Sequence, residues 1–149
     1  MKKELLEYLV CPKCKGRLRL EEETFETCQI RSGHLSCSCK EKFEIIDFIP
    51  RFIPTDKYVK SFSFEWQTHK KTQVDSFSGY DISLQQFKKR VDFALSDLSG
   101  KFVLDAGCGT GRYSEIALKN SATVSGVDLS YSVDVAFENT RSSPQAHFI

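Results

Sequence analysis

The sequence predicts an α/β protein in two parts: a small β module stapled through cysteines, followed by βα units of a parallel sheet. Three observations carry this expectation. Four of the six cysteines fall in two close pairs, Cys11/Cys14 and Cys37/Cys39. From Lys101 onward, apolar strand-like runs alternate with helix-like segments, the pattern of consecutive βαβ units. Between the first such run and its helix, Gly107-Cys108-Gly109-Thr110-Gly111 sets three glycines in five positions.

Composition fits a folded chain. The 149 residues are 40% hydrophobic and 28% charged, which argues for globular structure over a disordered tail. Net charge is +1, with no strongly basic block, so broad phosphate-backbone binding to nucleic acid has no support. No run of 18 apolar residues occurs, so no membrane span or membrane partner is expected. Glu4 and Glu7 interrupt the start, "MKKELLEYLVCPKC", where a secretory signal needs an uncharged apolar core. The expected compartment is the cytoplasm, where cysteines point to metal or chemistry before disulfides.

Residues 1–54 form the first expected domain. In "CPKCKGRL" the C-x2-C turn presents two thiolates to one tetrahedral ion, and Pro12 and Gly16 suit such a turn. The second pair, in "LSCSCKEKF", is C-x-C and one residue tighter. Twenty-two residues separate Cys14 from Cys37, room for a hairpin between two knuckles. So short a region has little core of its own, and a bound zinc would supply folding free energy. Cys28 and His34 are further candidates for a place in the ligand set. Cys28 sits in "TFETCQI", which alternates like a strand, and reads as a packing residue. His34 follows Gly33 in an expected turn and reads as solvated.

"YLVCPKCKGRL" and "GHLSCSCKEKFEIIDFIPRFIP" resemble the short zinc-ribbon family that includes the protein activating several tRNA and protein methyltransferases. The likeness covers residues 5–54. Glu44 stands where that family typically has proline, and Phe48 where it has glycine. The expected metal ligands are Cys11, Cys14, Cys37 and Cys39.

Residues 55–98 read as a connecting segment. Tyr58, Phe62, Phe64, Trp66, Phe77 and Tyr80 lie among polar residues and are expected to pack the segment onto a domain rather than stack bases. From Ser83 an amphipathic helix is expected: Leu84, Phe87, Val91, Ala94/Leu95 and Leu98 recur at helical spacing. "SLQQ" reads as its capping box and Gly100 as its stop. Lys88, Lys89 and Arg90 read as a solvated face.

In residues 99–149, "KFVLDAG" reads as a buried strand and "RYSEIALKN" as its helix. "ATVSGVDLS" and "SVDVAFENTR" give a second pair, and "AHFI" opens a third strand. Ligands of parallel sheets sit at the carboxyl ends of strands, where the glycine turn falls. A dinucleotide fingerprint would place its third glycine at position 112, which is Arg112. Asp128 ends the second strand 21 positions after Gly107, and an ionised carboxylate there can accept hydrogen bonds from both hydroxyls of a ribose. A nucleotide is favoured and a pyrophosphate disfavoured. A nucleophilic Cys108 is the sharp alternative, but no histidine lies near it in sequence.

"VLDAGCGTGRY" followed by "VSGVDLS" resembles motif I of the class I S-adenosylmethionine-dependent methyltransferases. That resemblance implies a Rossmann-like fold. It places Asp105 and residues Gly107, Cys108, Gly109, Thr110 and Gly111 beside the cofactor's methionine moiety, Asp128 on the ribose, and Leu129 beside the adenine. "SFSFEWQTHKKTQ" and the order of ribbon before motif I resemble a subgroup with the ribbon fused at the N-terminus. Strands 4–7 of that family's sheet have no counterpart in the chain, so it is expected to be part of a longer methyltransferase, with its first strand an exposed edge and its catalytic residues and methyl acceptor unknown. Two other readings stand beside this one. One is a non-catalytic interaction module that recruits or activates a partner through the ribbon; the other is an rRNA methyltransferase.

Overall fold

The structure is a computed structural model that describes residues 1–53 and 74–149. The chain divides into two units, residues 1–54 with Ile149 and residues 55–148. The fold is mixed α/β, with one antiparallel and one parallel sheet.

The first unit opens with a 3-10 turn, Lys3–Glu7, and continues as four strands: β1 (Leu18–Glu26), β2 (Gln29–Cys37), β3 (Lys42–Ile46) and β4 (Ile49–Arg51). They form one antiparallel sheet in chain order. Its core follows the two-residue period of a strand: Leu35 and Cys37 of β2 and Phe43 and Ile45 of β3 point inward, while Lys42, Glu44 and Ile46 are exposed. Leu5, Cys11 and Ile30 complete the cluster.

Two expectations are corrected here. Cys28 is not on a strand. Thr27 and Cys28 form the two-residue loop between β1 and β2, both with positive φ (47° and 64°), as a type I′ hairpin turn requires, and Cys28 is exposed. The alternation of "TFETCQI" hides a turn made without glycine. His34, for its part, lies inside β2 rather than in a turn. Glu21 pairs with His34 and Thr24 with Ser32, so Glu22 and Glu23 bulge out opposite Gly33. A Cβ on Gly33 would stand 3.1 Å from both the Glu21 carbonyl oxygen and the Glu23 Cα. The glycine marks a close backbone approach across a bulge, which in sequence looks the same as a turn.

Among the described residues of the second unit, helices α1 (Asp75–Ser78) and α2 (Ile82–Arg90) and a 3-10 turn, Leu95–Leu98, precede the sheet. The parallel sheet follows: β5 (Phe102–Ala106), α3 (Arg112–Lys119), β6 (Thr123–Val127), α4 (Ser132–Thr140) and β7 (Ala146–Phe148), in strand order β5-β6-β7. This is the βαβαβ arrangement the alternating pattern predicts. Central β6 is buried at Val124, Ser125 and Gly126, whereas Leu104 of β5 is 64% exposed. Among the described residues β5 pairs with β6 alone.

The single helix expected from Ser83 to Leu98 is two elements. Helix α2 ends at Arg90, Val91 is extended, and the chain turns again only at Leu95. Asp97 explains the restart, because its Oδ2 accepts the Ala94 N–H at 3.1 Å. The expected capping box is also absent. Asp75 accepts the N–H groups of Ser83 (3.0 Å) and Leu84 (2.8 Å), so a carboxylate from the preceding helix caps α2 and leaves Ser83 buried. The helical period survived the break because Phe87, Leu95 and Leu98 pack together with Ala117, Ala122 and Val124. Of the middle aromatics, Tyr58, Phe62, Phe64 and Trp66 lie outside the described residues, and Phe77 and Tyr80 are largely exposed.

Gly126 offers a direct check of this packing. A Cβ there would lie 2.6 Å from Cε1 of Phe148 and 3.1 Å from Sγ of Cys108. Gly126→Ala should therefore destabilise the second unit by about 1–3 kcal/mol, the usual cost of overpacking, read by urea unfolding followed by circular dichroism. An unchanged midpoint would mean that the ring and thiol do not fill this space.

Candidate functional site

Each unit gathers one cluster of chemistry. In the first, the Sγ atoms of Cys11, Cys14, Cys37 and Cys39 all lie within 4.8 Å of one another. Cys14 and Cys37 stand 3.3 Å apart, and Cys11 and Cys39 3.7 Å. Four thiolates at about 2.3 Å from a tetrahedral zinc would be about 3.8 Å apart, so the sulfurs are spaced for such an ion. They are also too far apart for disulfides.

Two turns build this cluster. The Cys11 carbonyl accepts the Lys15 N–H at 2.8 Å, and the Cys11 N–H donates to the Gly16 carbonyl at 2.9 Å. The bridge between Val10 and Arg17 closes that loop. On the other side, the Cys37 N–H donates to Glu41 (3.0 Å) and the Lys40 N–H to Cys37 (2.9 Å), so the short C-x-C still makes a closed turn. Gly16 fits tightly beneath the sulfurs, because a Cβ would meet Sγ of Cys14 at 3.2 Å and of Cys37 at 3.4 Å. Sequence reading valued Gly16 only as a turn residue; its proximity to a sulfur of the distant pair is a tertiary fact.

Cys37 and Cys39 respond to this crowding in opposite directions. The Cys39 backbone N–H and the Cys14 side chain stabilise a Cys37 thiolate and hold it down at about 6. For Cys39 the Glu41 N–H favours the thiolate, but Cys14, burial and the other sulfurs outweigh it and push the thiol up to about 12. One negative charge settles in the cluster and opposes the next. A divalent cation would remove that opposition. Cys28 and His34 lie outside the four-cysteine cluster: Cys28 is in the exposed hairpin turn, and His34 Nδ1 stands 3.3 Å from the Glu22 carboxylate.

In the second unit, the glycine turn leaves β5 and enters α3. Gly107, Gly109 and Gly111 have φ of 76°, 53° and 83°, in the left-handed region that side chains disfavour. A Cβ on Gly107 or Gly109 would meet nothing within 4 Å, so the turn has open space against its backbone. Gly111 differs, for a Cβ there would meet Cβ of Ala136 on α4 at 3.1 Å. It is a packing glycine.

Asp128 follows β6 directly and ties the two strand ends together. Its Oδ2 accepts the Gly109 N–H at 2.9 Å, and its Oδ1 accepts the N–H and hydroxyl of Ser130 at 2.8 and 2.7 Å. Burial raises its pKa, but these hydrogen bonds outweigh burial and hold the carboxyl below the usual value of 3.8. With the folded value below the unfolded one, the contribution is complete above about pH 4 and is lost as pH falls through the lowered pKa. Asp105 is held by the Ser114 hydroxyl at 2.6 Å. The Thr110 side chain is buried and its carbonyl accepts the Asn139 amide at 3.1 Å, while Leu129 is exposed. Ser130 and Ser114 were missed in the sequence. Ser130, two residues after an aspartate, carried a legible turn signal, whereas Ser114, nine residues from Asp105, carried none.

No protein-family model matches the chain, and no curated protein matches it. Among solved structures, the Trypanosoma brucei PRMT1 enzyme-prozyme heterotetrameric complex with AdoHcy is similar to it at 33% identity, covering 48% of this chain and 24% of that chain, with a TM-score of 0.35. Among the described residues no helix is long and apolar enough to cross a membrane.

The surroundings of Cys108 argue against a nucleophilic role. Burial pushes its thiol up, and the Asp105 and Asp128 carboxylates push it further. Exposed Cys28 should therefore react readily with iodoacetamide at pH 7.5, while Cys108 stays unmodified until the chain unfolds. Peptide mapping by mass spectrometry distinguishes the two, and early alkylation of Cys108 would overturn the assignment.

Proposed function

We propose that the chain is the cofactor-binding part of an S-adenosylmethionine-dependent methyltransferase, preceded by a zinc-binding β module. One observation carries this reading: Asp128, at the end of β6, is hydrogen-bonded to Gly109 in the glycine turn at the end of neighbouring β5. A nucleoside-binding carboxylate and a backbone open to close approach thus share one edge of a parallel sheet.

The residues present suit that cofactor. Three of about four acceptor positions on the Asp128 carboxylate are already used, leaving one on Oδ2. A second ribose hydroxyl would displace the Ser130 hydroxyl, which has Ser132 Oγ at 2.6 Å as its alternative partner. Asp105, kept in place by Ser114, and the backbone of residues 107–111 would border the methionine part; exposed Leu129 would lie beside the adenine. The cofactor, when bound, supplies an electrophilic methyl group. The protein's part is to hold it oriented. Within the first unit, Cys11, Cys14, Cys37 and Cys39 would hold one zinc as a structural staple.

Asp128→Ala in the intact protein should weaken S-adenosylhomocysteine binding by about 10- to 150-fold, the loss of about 1.5–3 kcal/mol from two charge-assisted hydrogen bonds. Calorimetry reads it directly. Tighter binding of NAD than of S-adenosylhomocysteine would overturn the reading of the turn.

Native mass spectrometry should find one zinc per chain, lost in Cys14→Ser and kept in Cys28→Ser. A folded, metal-free first unit at neutral pH would refute the staple.

A further inference from the structure

Helix α4 touches the glycine turn and Asp128 from its two ends. At its start, Ser132 Oγ lies 2.6 Å from Ser130 Oγ, and the Ser132 N–H donates to that oxygen at 3.2 Å. Ser130 in turn donates its N–H and hydroxyl to Asp128. In the last turn of α4, Asn139 donates from Nδ2 to the Thr110 carbonyl at 3.1 Å. Ala136, three residues earlier and so on the same face, lies against Gly111: a Cβ on that glycine would stand 3.1 Å from the Cβ and 3.3 Å from the Cα of Ala136. The seven steps from Ser132 to Asn139 span about 10 Å of helix.

The Thr110 carbonyl and the Gly111 N–H belong to one peptide group. Asn139 holds the carbonyl, and the Cys108 carbonyl accepts the N–H at 2.9 Å. Both ends of this peptide are therefore pinned. Residue type alone would not orient it, because glycine adopts positive and negative φ with similar ease. Gly111 sits at φ 83°, and rotation of the peptide before it would break both hydrogen bonds. Thr140, the neighbour of Asn139, bonds locally, to the Ala136 carbonyl at 2.8 Å. Asn139 reaches 29 residues back instead, into a turn whose Gly107 and Gly109 have open space beside them. A loop held in one conformation binds a ligand without the cost of ordering it first.

We propose that Asn139 is a positioning residue for the nucleoside cofactor. Through Thr110 it holds the glycine turn in the conformation the cofactor meets, and α4 is the strut that keeps this turn in step with Asp128. The cofactor half rests on the methyltransferase reading; the pinned peptide does not.

The test uses the intact protein, with calorimetry of S-adenosylhomocysteine binding and NMR of the glycine amides before ligand is added. Asn139→Ala should weaken binding about 3- to 10-fold, the loss of one hydrogen bond. Alanine favours a helix more than asparagine does, so α4 stays formed in this variant. Asn139→Asp keeps the shape but sets a carboxylate oxygen against the Thr110 carbonyl, and should weaken binding further. Wild-type affinity in Asn139→Ala overturns the proposal. So does an order in which Asn139→Asp binds nearest to wild type, the signature of packing alone. Equal weakening by Glu138→Ala, on the exposed side of the same helical turn, would assign the effect to the helix as a whole and overturn it too. In the ligand-free protein, Asn139→Ala should shift or broaden the Gly111 amide and leave that of Gly126 in place. An unchanged Gly111 resonance overturns the pinned peptide. Wild-type protein that binds no S-adenosylhomocysteine overturns the methyltransferase reading and the cofactor half with it, and the Gly111 resonance still decides the peptide.

Discussion

The parallel register of β5 on β6 is the constraint on which the second unit depends. Pairing Phe102 with Thr123 carries Ala106 to Val127, so both strands end at the same level. Only then does a turn beginning at Gly107 meet the carboxylate of Asp128. The Val127 carbonyl accepts the N–H groups of Gly107 (2.8 Å) and Cys108 (3.1 Å), which continues the ladder into the turn before Gly109 reaches Asp128. A one-residue slip would turn every β6 side chain over to the opposite face of the sheet. Burial of Val124 and the close fit of Gly126 under Phe148 oppose that slip. Site geometry and core packing are enforced by the same register.

A different economy governs the first unit. Its sheet buries a modest set of side chains, and two of them, Cys11 and Cys37, are also members of the sulfur cluster. Packing brings the two knuckles together, and crowding of the sulfurs then opposes a thiolate at Cys39. A metal would turn that resistance into cohesion. Backbone strain collects around the same turns, with Lys15 and Lys40 at positive φ beside the cysteine pairs. Phe48 is another such residue, held at φ 72° with its side chain buried.

Legibility from sequence varied with the range of the interaction. Spacing alone marked the cysteine pairs and the glycine turn, since both depend on residues a few positions apart. The helix from Ser83 was half right. Its period was real, but Asp75 and Asp97 decided where helical structure starts and resumes, and neither belongs to the periodic pattern. Cys28 and His34 were misplaced for a related reason. A glycine-free type I′ turn and a bulge opposite Gly33 both break the rule that glycine marks the turn and alternation marks the strand.

By itself the sequence determined the α/β class, the βαβαβ order of the second unit's sheet and the four cysteines that gather in the first. These follow from local periodicity and from residue types whose chemistry is limited. Tertiary structure decided what each residue meets. It set the spacing of four sulfurs from two distant turns, the closeness of Gly16 to the sulfur of Cys37, the hydrogen bond from Gly109 to Asp128, and the placement of Arg90 on Tyr113. Those contacts join residues far apart in the chain, and nothing local encodes the distance between them. It is fixed only when the sheets close.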